Sequence, residues 1–131
     1  LEAIESLRRL TPPWNVGLQA QVAGVKALQD PEYYESRYKQ THQLRSKLST
    51  DLMEIANLDV INGFANFLLC KIPDTGLTTT ELMEKSRRRG LYIRNVATTS
   101  PRLGERMFRV AVKDEFTNDR IVSILAKEIN G

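Results

Sequence analysis

The segment Met107-Phe108-Arg109-Val110-Ala111-Val112-Lys113 holds the clearest chemical opportunity in the sequence. Its strict alternation is that of a strand whose successive side chains point to opposite faces. Phe108, Val110 and Val112 form an apolar core face, which leaves Arg109 on the other face with Met107, Ala111 and Lys113. A guanidinium held there, with a small alanine beside it, has room to grip a planar anion through two parallel hydrogen bonds. A strand also fixes such a group better than a loop does. Arg94 is a second candidate of the same kind. In Leu91–Arg94 the core residue is Ile93, so Tyr92 and Arg94 face the other way, where the strand enters a loop. Each arginine also has an ordinary reading as a solvated surface residue.

Other reactive residues carry less. Arg87-Arg88-Arg89 fan around the last turn of a helix, where cations suit the helix dipole. His42 lies in mid-helix with no Cys, Asp or Glu at ligand spacing and reads as a surface or packed histidine. Cys70 sits in a buried-looking strand and reads as a core residue. One His and one Cys exclude a Cys/His zinc site. Glycine-rich phosphate loops, a Ser-His-Asp set and carboxylate pairs with an evident role are absent.

The elements that must position these residues follow from periodicity and punctuation. Leu1–Arg9 reads as a short amphipathic helix, broken by Thr11-Pro12-Pro13. Asn15 is expected to cap a second helix, Val16–Gln29, whose apolar residues surround Gly24 and which reads as buried on most sides. Asp30-Pro31 opens a third helix running to about Ala56, ~39 Å long at 1.5 Å per residue. Its stripe is Tyr34, Tyr38, Leu44, Leu48, Leu52 and Ile55, with Thr41 completing the spacing. After Asn57 the period shortens to that of strands: Val60-Ile61, an Asn62-Gly63 turn, and Phe64–Ile72. Thr78 or Thr79 caps a helix through Arg89 that Gly90 terminates. Strands at Leu91–Arg94 and Met107–Lys113 follow, and Thr117 caps a last helix, Asn118–Ile129. The expected class is α+β: a small, largely antiparallel sheet with helices on one face, preceded by two short helices and one long helix. Residues 1–30, 31–57 and 58–131 are expected as a partial domain, a long linking helix and a small α+β domain.

Composition bounds the function classes. The 131 residues suit one domain of ordinary size, 41% hydrophobic and 27% charged, with a formal charge of +3. That excess of 19 basic over 16 acidic residues is too small to argue for nucleic acid. Apolar runs such as Phe67-Leu68-Leu69-Cys70 fall far short of a membrane span. A single Cys excludes an internal disulfide framework and suits a reducing cytoplasm. The chain opens at Leu1 in mid-helix pattern, which reads as a piece of a longer polypeptide.

The run Leu7-Arg8-Arg9-Leu10-Thr11-Pro12-Pro13-Trp14-Asn15-Val16, followed by Gln19–Leu28, resembles a segment of class I/II aminotransferases, the fold-type I pyridoxal 5′-phosphate (PLP) enzymes. The histidinol-phosphate aminotransferase and threonine-phosphate decarboxylase subgroup is nearest in flavour. Asn66-Phe67-Leu68-Leu69 resembles a small-domain strand of that family. Gly90-Leu91-Tyr92-Ile93-Arg94-Asn95 resembles its "glycine, apolar, Arg-Asp" strand, with Asn95 in place of Asp. Met107–Val112 and Asn118-Asp119-Arg120 resemble its last strand and final helix.

This resemblance implies roles. Arg109 would grip the substrate α-carboxylate, and Arg94 would lie near the distal or second anionic group. Residues 1–30 would be the tail of the large cofactor-binding domain, 31–57 the interdomain helix and 58–131 the small C-terminal domain. The Schiff-base lysine, the aspartate facing the pyridine nitrogen and the phosphate-binding loop would lie ahead of residue 1. The cofactor carries the carbanion chemistry in such enzymes while the protein orients the substrate. The isolated chain is therefore expected to hold no cofactor and to be inactive. The parent enzyme is expected to be a cytoplasmic homodimer acting on an amino acid or phosphorylated amino compound, with no nucleic-acid or membrane partner. Two other readings compete: an amino-acid-phosphate decarboxylase fragment, and a stand-alone α+β binding module. An RNA-binding sheet needs open-face aromatics, and the last strand offers none there.

Overall fold

The computed structural model describes residues 4–7, 11, 15–97, 99 and 103–131. The Pro12-Pro13 break, most of the first expected helix and most of the Thr98–Pro101 loop lie outside the described residues. The chain divides into two compact units between Arg37 and Tyr38.

In the first unit residues 4–7 are helical. Helix α1 spans Leu18–Leu28, shorter than the expected Val16–Gln29. Its N-cap is Gly17 rather than Asn15, and no side chain caps it. Nor is α1 buried as its composition suggests: Leu18, Val22, Val25 and Leu28 are all exposed. Helix α2, Pro31–Met53, begins in this unit. Asp30 opens it as expected, its Oδ1 accepting the Tyr33 amide at 3.2 Å. It ends three residues earlier than Ala56, and Asn57 takes a left-handed φ of 65° before the sheet begins.

The second unit holds a four-stranded antiparallel sheet. Its strands are β1 (Asp59–Ile61), β2 (Phe67–Lys71), β3 (Arg94–Asn95) and β4 (Met107–Ala111), in the order β1-β2-β4-β3. Helices α3 (Thr79–Arg88) and α4 (Glu115–Asn130) complete it. Leu68, Cys70, Phe108 and Val110 point to one face and join Leu48 and Leu52 of α2, Leu82 of α3, and Ile121, Ile124 and Leu125 of α4 in one core. Phe108 is 0% exposed, and Val112 packs against the same cluster. The α+β class and the one-sided helices are thus as expected. Burial of Cys70 pushes its thiol up to about 12, which keeps it a neutral apolar group.

Local chemistry accounts for the element ends. Thr78 caps α3 through a reciprocal box: its Oγ1 accepts the Glu81 amide at 3.2 Å, and Glu81 Oε2 accepts the Thr78 amide at 2.8 Å. Those bonds hold the Glu81 carboxyl below its usual range. Gly90, at φ 74°, ends the helix as expected. The last helix starts three residues before the expected Asn118. Asp114, not Thr117, is its cap: Asp114 Oδ1 accepts the Thr117 amide at 2.9 Å, and the Asp114 carboxyl is held low by that bond. Asn118 is buried and ties down the strand exit, its Nδ2 donating to Lys113 O at 3.0 Å and its Oδ1 accepting the Lys113 amide at 2.9 Å.

Strand lengths also differ from expectation. The Phe64–Ile72 strand pairs only over Phe67–Lys71, with Phe64 exposed in the turn. Met107–Lys113 pairs over Met107–Ala111. Leu91–Ile93 keep the in–out alternation, Leu91 and Ile93 buried and Tyr92 exposed, without entering the ladder, which begins at Arg94.

Candidate functional site

The sheet face turned away from the helices carries both arginines. Arg94 lies directly opposite Arg109 across the β3–β4 pair. Facing residues in such a pair have Cβ atoms about 4.5–5.5 Å apart, and like charges so placed repel. On the other side of β4, Leu69 lies opposite Arg109, Phe67 opposite Ala111 and Lys71 opposite Met107. The open face is therefore a cationic pair flanked by Leu69, Phe67 and Ala111. Met107 shares this face in register yet is buried.

Arg109 is half-buried and Arg94 exposed. The Arg109 Cζ stands 4.4 Å from the centroid of the Phe67 ring. Among the described residues neither arginine makes an ion pair with a carboxylate, whereas Lys47 bridges Asp51 at 2.9 Å and Asp119 at 3.1 Å, Lys71 pairs with Asp74 at 3.7 Å, and Arg89 pairs with Glu128. Two cations opposed on one face, with no described acidic side chain taking either, have the chemistry to hold an anion. The site is a face rather than a closed pocket. Larger concavities lie elsewhere, one of about 410 Å³ beside Arg45, Ser49 and Asn62, another of about 350 Å³ where Leu91–Ile93 part from β4.

Both sequence-derived site residues are thus brought together, on the expected face. Phe67 was missed by the sequence reading. Its signal lay in the alternation of Phe67, Leu69 and Lys71 against Leu68, Cys70 and Ile72, which puts an aromatic ring on the arginine side. The other candidates behave as ordinary residues. His42 is exposed, Cys70 is buried, and no cluster of metal-binding side chains exists among the described residues. Arg87 stacks on Tyr92 at 5.9 Å. No helix among the described residues is long and apolar enough to cross a membrane.

Comparison with known proteins identifies the family. The family model for aminotransferase class I and II matches residues 2–125. The chain is 29% identical over 126 residues to histidinol-phosphate aminotransferase of Methanosphaera stadtmanae, covering 96% of this chain and 34% of that protein. It is 29% identical over 131 residues to threonine-phosphate decarboxylase of Salmonella typhimurium, covering 98% of this chain and 34% of that protein. The crystal structure of histidinol-phosphate aminotransferase from Clostridium acetobutylicum superposes with a TM-score of 0.77 at 25% identity, over 92% of this chain and 35% of that one. The chain spans about a third of the length of these relatives. With the match running through the small sheet and both arginine strands, this chain belongs to the class I and II aminotransferases.

Proposed function

We propose that this chain is the substrate-orienting C-terminal part of a PLP-dependent aminotransferase acting on an amino acid or a phosphorylated amino compound. Arg109 grips the substrate carboxylate, and Arg94 meets its second, distal anionic group. The observation that carries the reading is the opposed Arg94–Arg109 pair, to which no described carboxylate is bound. A cross-strand cation pair is destabilising unless a ligand neutralises it. The relatives' names support a second anion, since both act on phosphate-bearing compounds by name. The 98% coverage by the threonine-phosphate decarboxylase keeps decarboxylation as the second reading.

Class I and II aminotransferases are PLP enzymes, and membership implies that cofactor for the parent enzyme. Of the lysines that alternation puts on the arginine face, Lys71 and Lys113, Lys71 pairs with Asp74, and neither is assigned a role toward that cofactor. We assign residues 1–30 to the tail of a large domain, 31–57 to an interdomain helix and 58–131 to the small domain. The parent enzyme is assigned as a cytoplasmic homodimer.

Steady-state kinetics of the parent enzyme on an amino acid and on its decarboxylated amine analogue test the clamp. Arg109→Lys keeps the charge and loses the planar fork; Arg109→Ala loses both. The lost charge-assisted contact costs ~1.5–3 kcal/mol, about tenfold to more than a hundredfold in kcat/KM on the amino acid. The amine responds little. Wild-type efficiency of Arg109→Ala on the amino acid would return Arg109 to the ordinary surface.

A further inference from the structure

We propose that Phe67 is a positioning residue: its ring holds the Arg109 guanidinium in the plane that a carboxylate needs, and so sorts the two anions of the substrate between the two arginines. The inference rests on the carboxylate-clamp reading of Arg109.

Three observations carry it. The Arg109 Cζ lies 4.4 Å from the Phe67 centroid, within stacking range. In the β2–β4 register Phe67 pairs with Ala111 and Leu69 with Arg109, so Phe67 is the diagonal neighbour of Arg109 on the same face, within reach of an aromatic and a long side chain. Ala111, paired with Phe67, shares the face of Arg109 and puts only a methyl group beside the two. Arg94, by contrast, is exposed and makes no ring contact among the described residues; the nearby Tyr92 ring is taken by Arg87.

The physical consequence differs for the two groups. A guanidinium directs all its N–H bonds outward in its own plane. Stacking uses the plane's face and leaves every donor free, while restricting the rotations that a bidentate grip must otherwise freeze. Freezing one such side chain costs about two- to tenfold in affinity, and the ring removes that cost at Arg109 before the anion arrives. Arg109 is therefore suited to the directionally demanding, planar carboxylate. Arg94 keeps its freedom and suits a tetrahedral, less directional anion such as a phosphate.

The test is nuclear magnetic resonance of the full 131-residue chain with 15N-labelled arginine, following the side-chain Nε–Hε signals during separate titrations with acetate and with inorganic phosphate. Phe67→Leu removes the ring. Pentafluorophenylalanine at position 67 keeps the ring's shape and reverses the charge on its face, so folding is preserved even where Leu disturbs it. In the wild type the Arg109 Hε is displaced by the ring current and moves with acetate, while Arg94 answers to phosphate. Both substitutions are expected to weaken acetate binding at Arg109 by about two- to tenfold and to leave phosphate binding at Arg94 unchanged. General damage to the sheet would weaken both. Unchanged acetate binding at Arg109 in the pentafluoro chain, with wild-type binding intact, overturns the positioning role alone. A wild-type Arg109 signal indifferent to acetate overturns the clamp reading and, with it, this inference.

Discussion

Helix α1 and strand β4 are comparably apolar in sequence, yet they end in opposite surroundings. In the unit up to Arg37 no described residue is buried, and Leu18, Val22, Val25 and Leu28 all stay exposed. In the unit from Tyr38 onward, Phe108 and Val110 disappear beneath α3 and α4. The contrast teaches that apolar periodicity states a demand for burial without naming who meets it. For β4 the supplier lies in the same chain. For α1 no described residue of its own unit meets that demand, and its exposed side chains are the kind of apolar surface that marks an interaction site.

That comparison can be broken by mutation. Phe108→Ala empties the centre of the core and is expected to cost about 3–5 kcal/mol of unfolding free energy in denaturant titrations; a cost below 1 kcal/mol would mean the core is not where the second unit's stability resides. Cys70 tests the same core through pH. Its thiol is raised from the ordinary 9.0 to about 12, so the folded state holds the proton longer than the unfolded chain. Stability from this group is complete below pH 9 and declines by about 1.4 kcal/mol per unit as pH rises toward 12. Alkaline melts of Cys70→Val should lack that share of the decline; an identical alkaline limb would place the thiol in contact with water. The smallest effect belongs to α1. Val22→Ser removes an exposed apolar group and should change the unfolding free energy of the isolated chain by no more than about 0.5 kcal/mol. A loss of several kcal/mol would reveal a buried α1 and erase the contrast.

How far these features can be read from sequence depends on the distance over which they are decided. The faces of β4 follow from period-two alternation alone, and the same rule puts Arg94 opposite in orientation to Ile93. That the two arginines meet head-on is another matter. Their register is set by pairing across a connection of more than ten residues, which no local pattern encodes. Helix starts fail for a similar reason. Asp114 and Thr117 are both good caps, and the choice falls to Asp114 because its carboxylate takes the Thr117 amide and hydroxyl together. Asn15 loses its expected role because α1 starts at Leu18, with Gly17 as the N-cap. Leu91–Ile93 look like a strand in composition and alternate like one, but pairing with β4 begins only at Arg94. Family resemblance supplies what spacing cannot: it implies that Arg94 and Arg109 serve one substrate, and the register sets them opposite one another.

Gly90 has a consequence for how such sequences drift over time. Its φ of 74° already disfavours any side chain, and a Cβ built there would sit 3.1 Å from Arg120 Nη2. That same nitrogen donates to the Arg89 carbonyl at 2.6 Å, while the Arg89 side chain pairs with Glu128. Positions 89, 90, 120 and 128 therefore form a closed account between the end of α3 and the body of α4. A side chain at 90 would be strained by the left-handed φ whatever stands at 120, and the flexible end of Arg120 would need to give by only a few tenths of an ångström, at the expense of its bond to the Arg89 carbonyl. Position 90 should therefore stay glycine in most descendants, while position 120 can change wherever another donor reaches the Arg89 carbonyl.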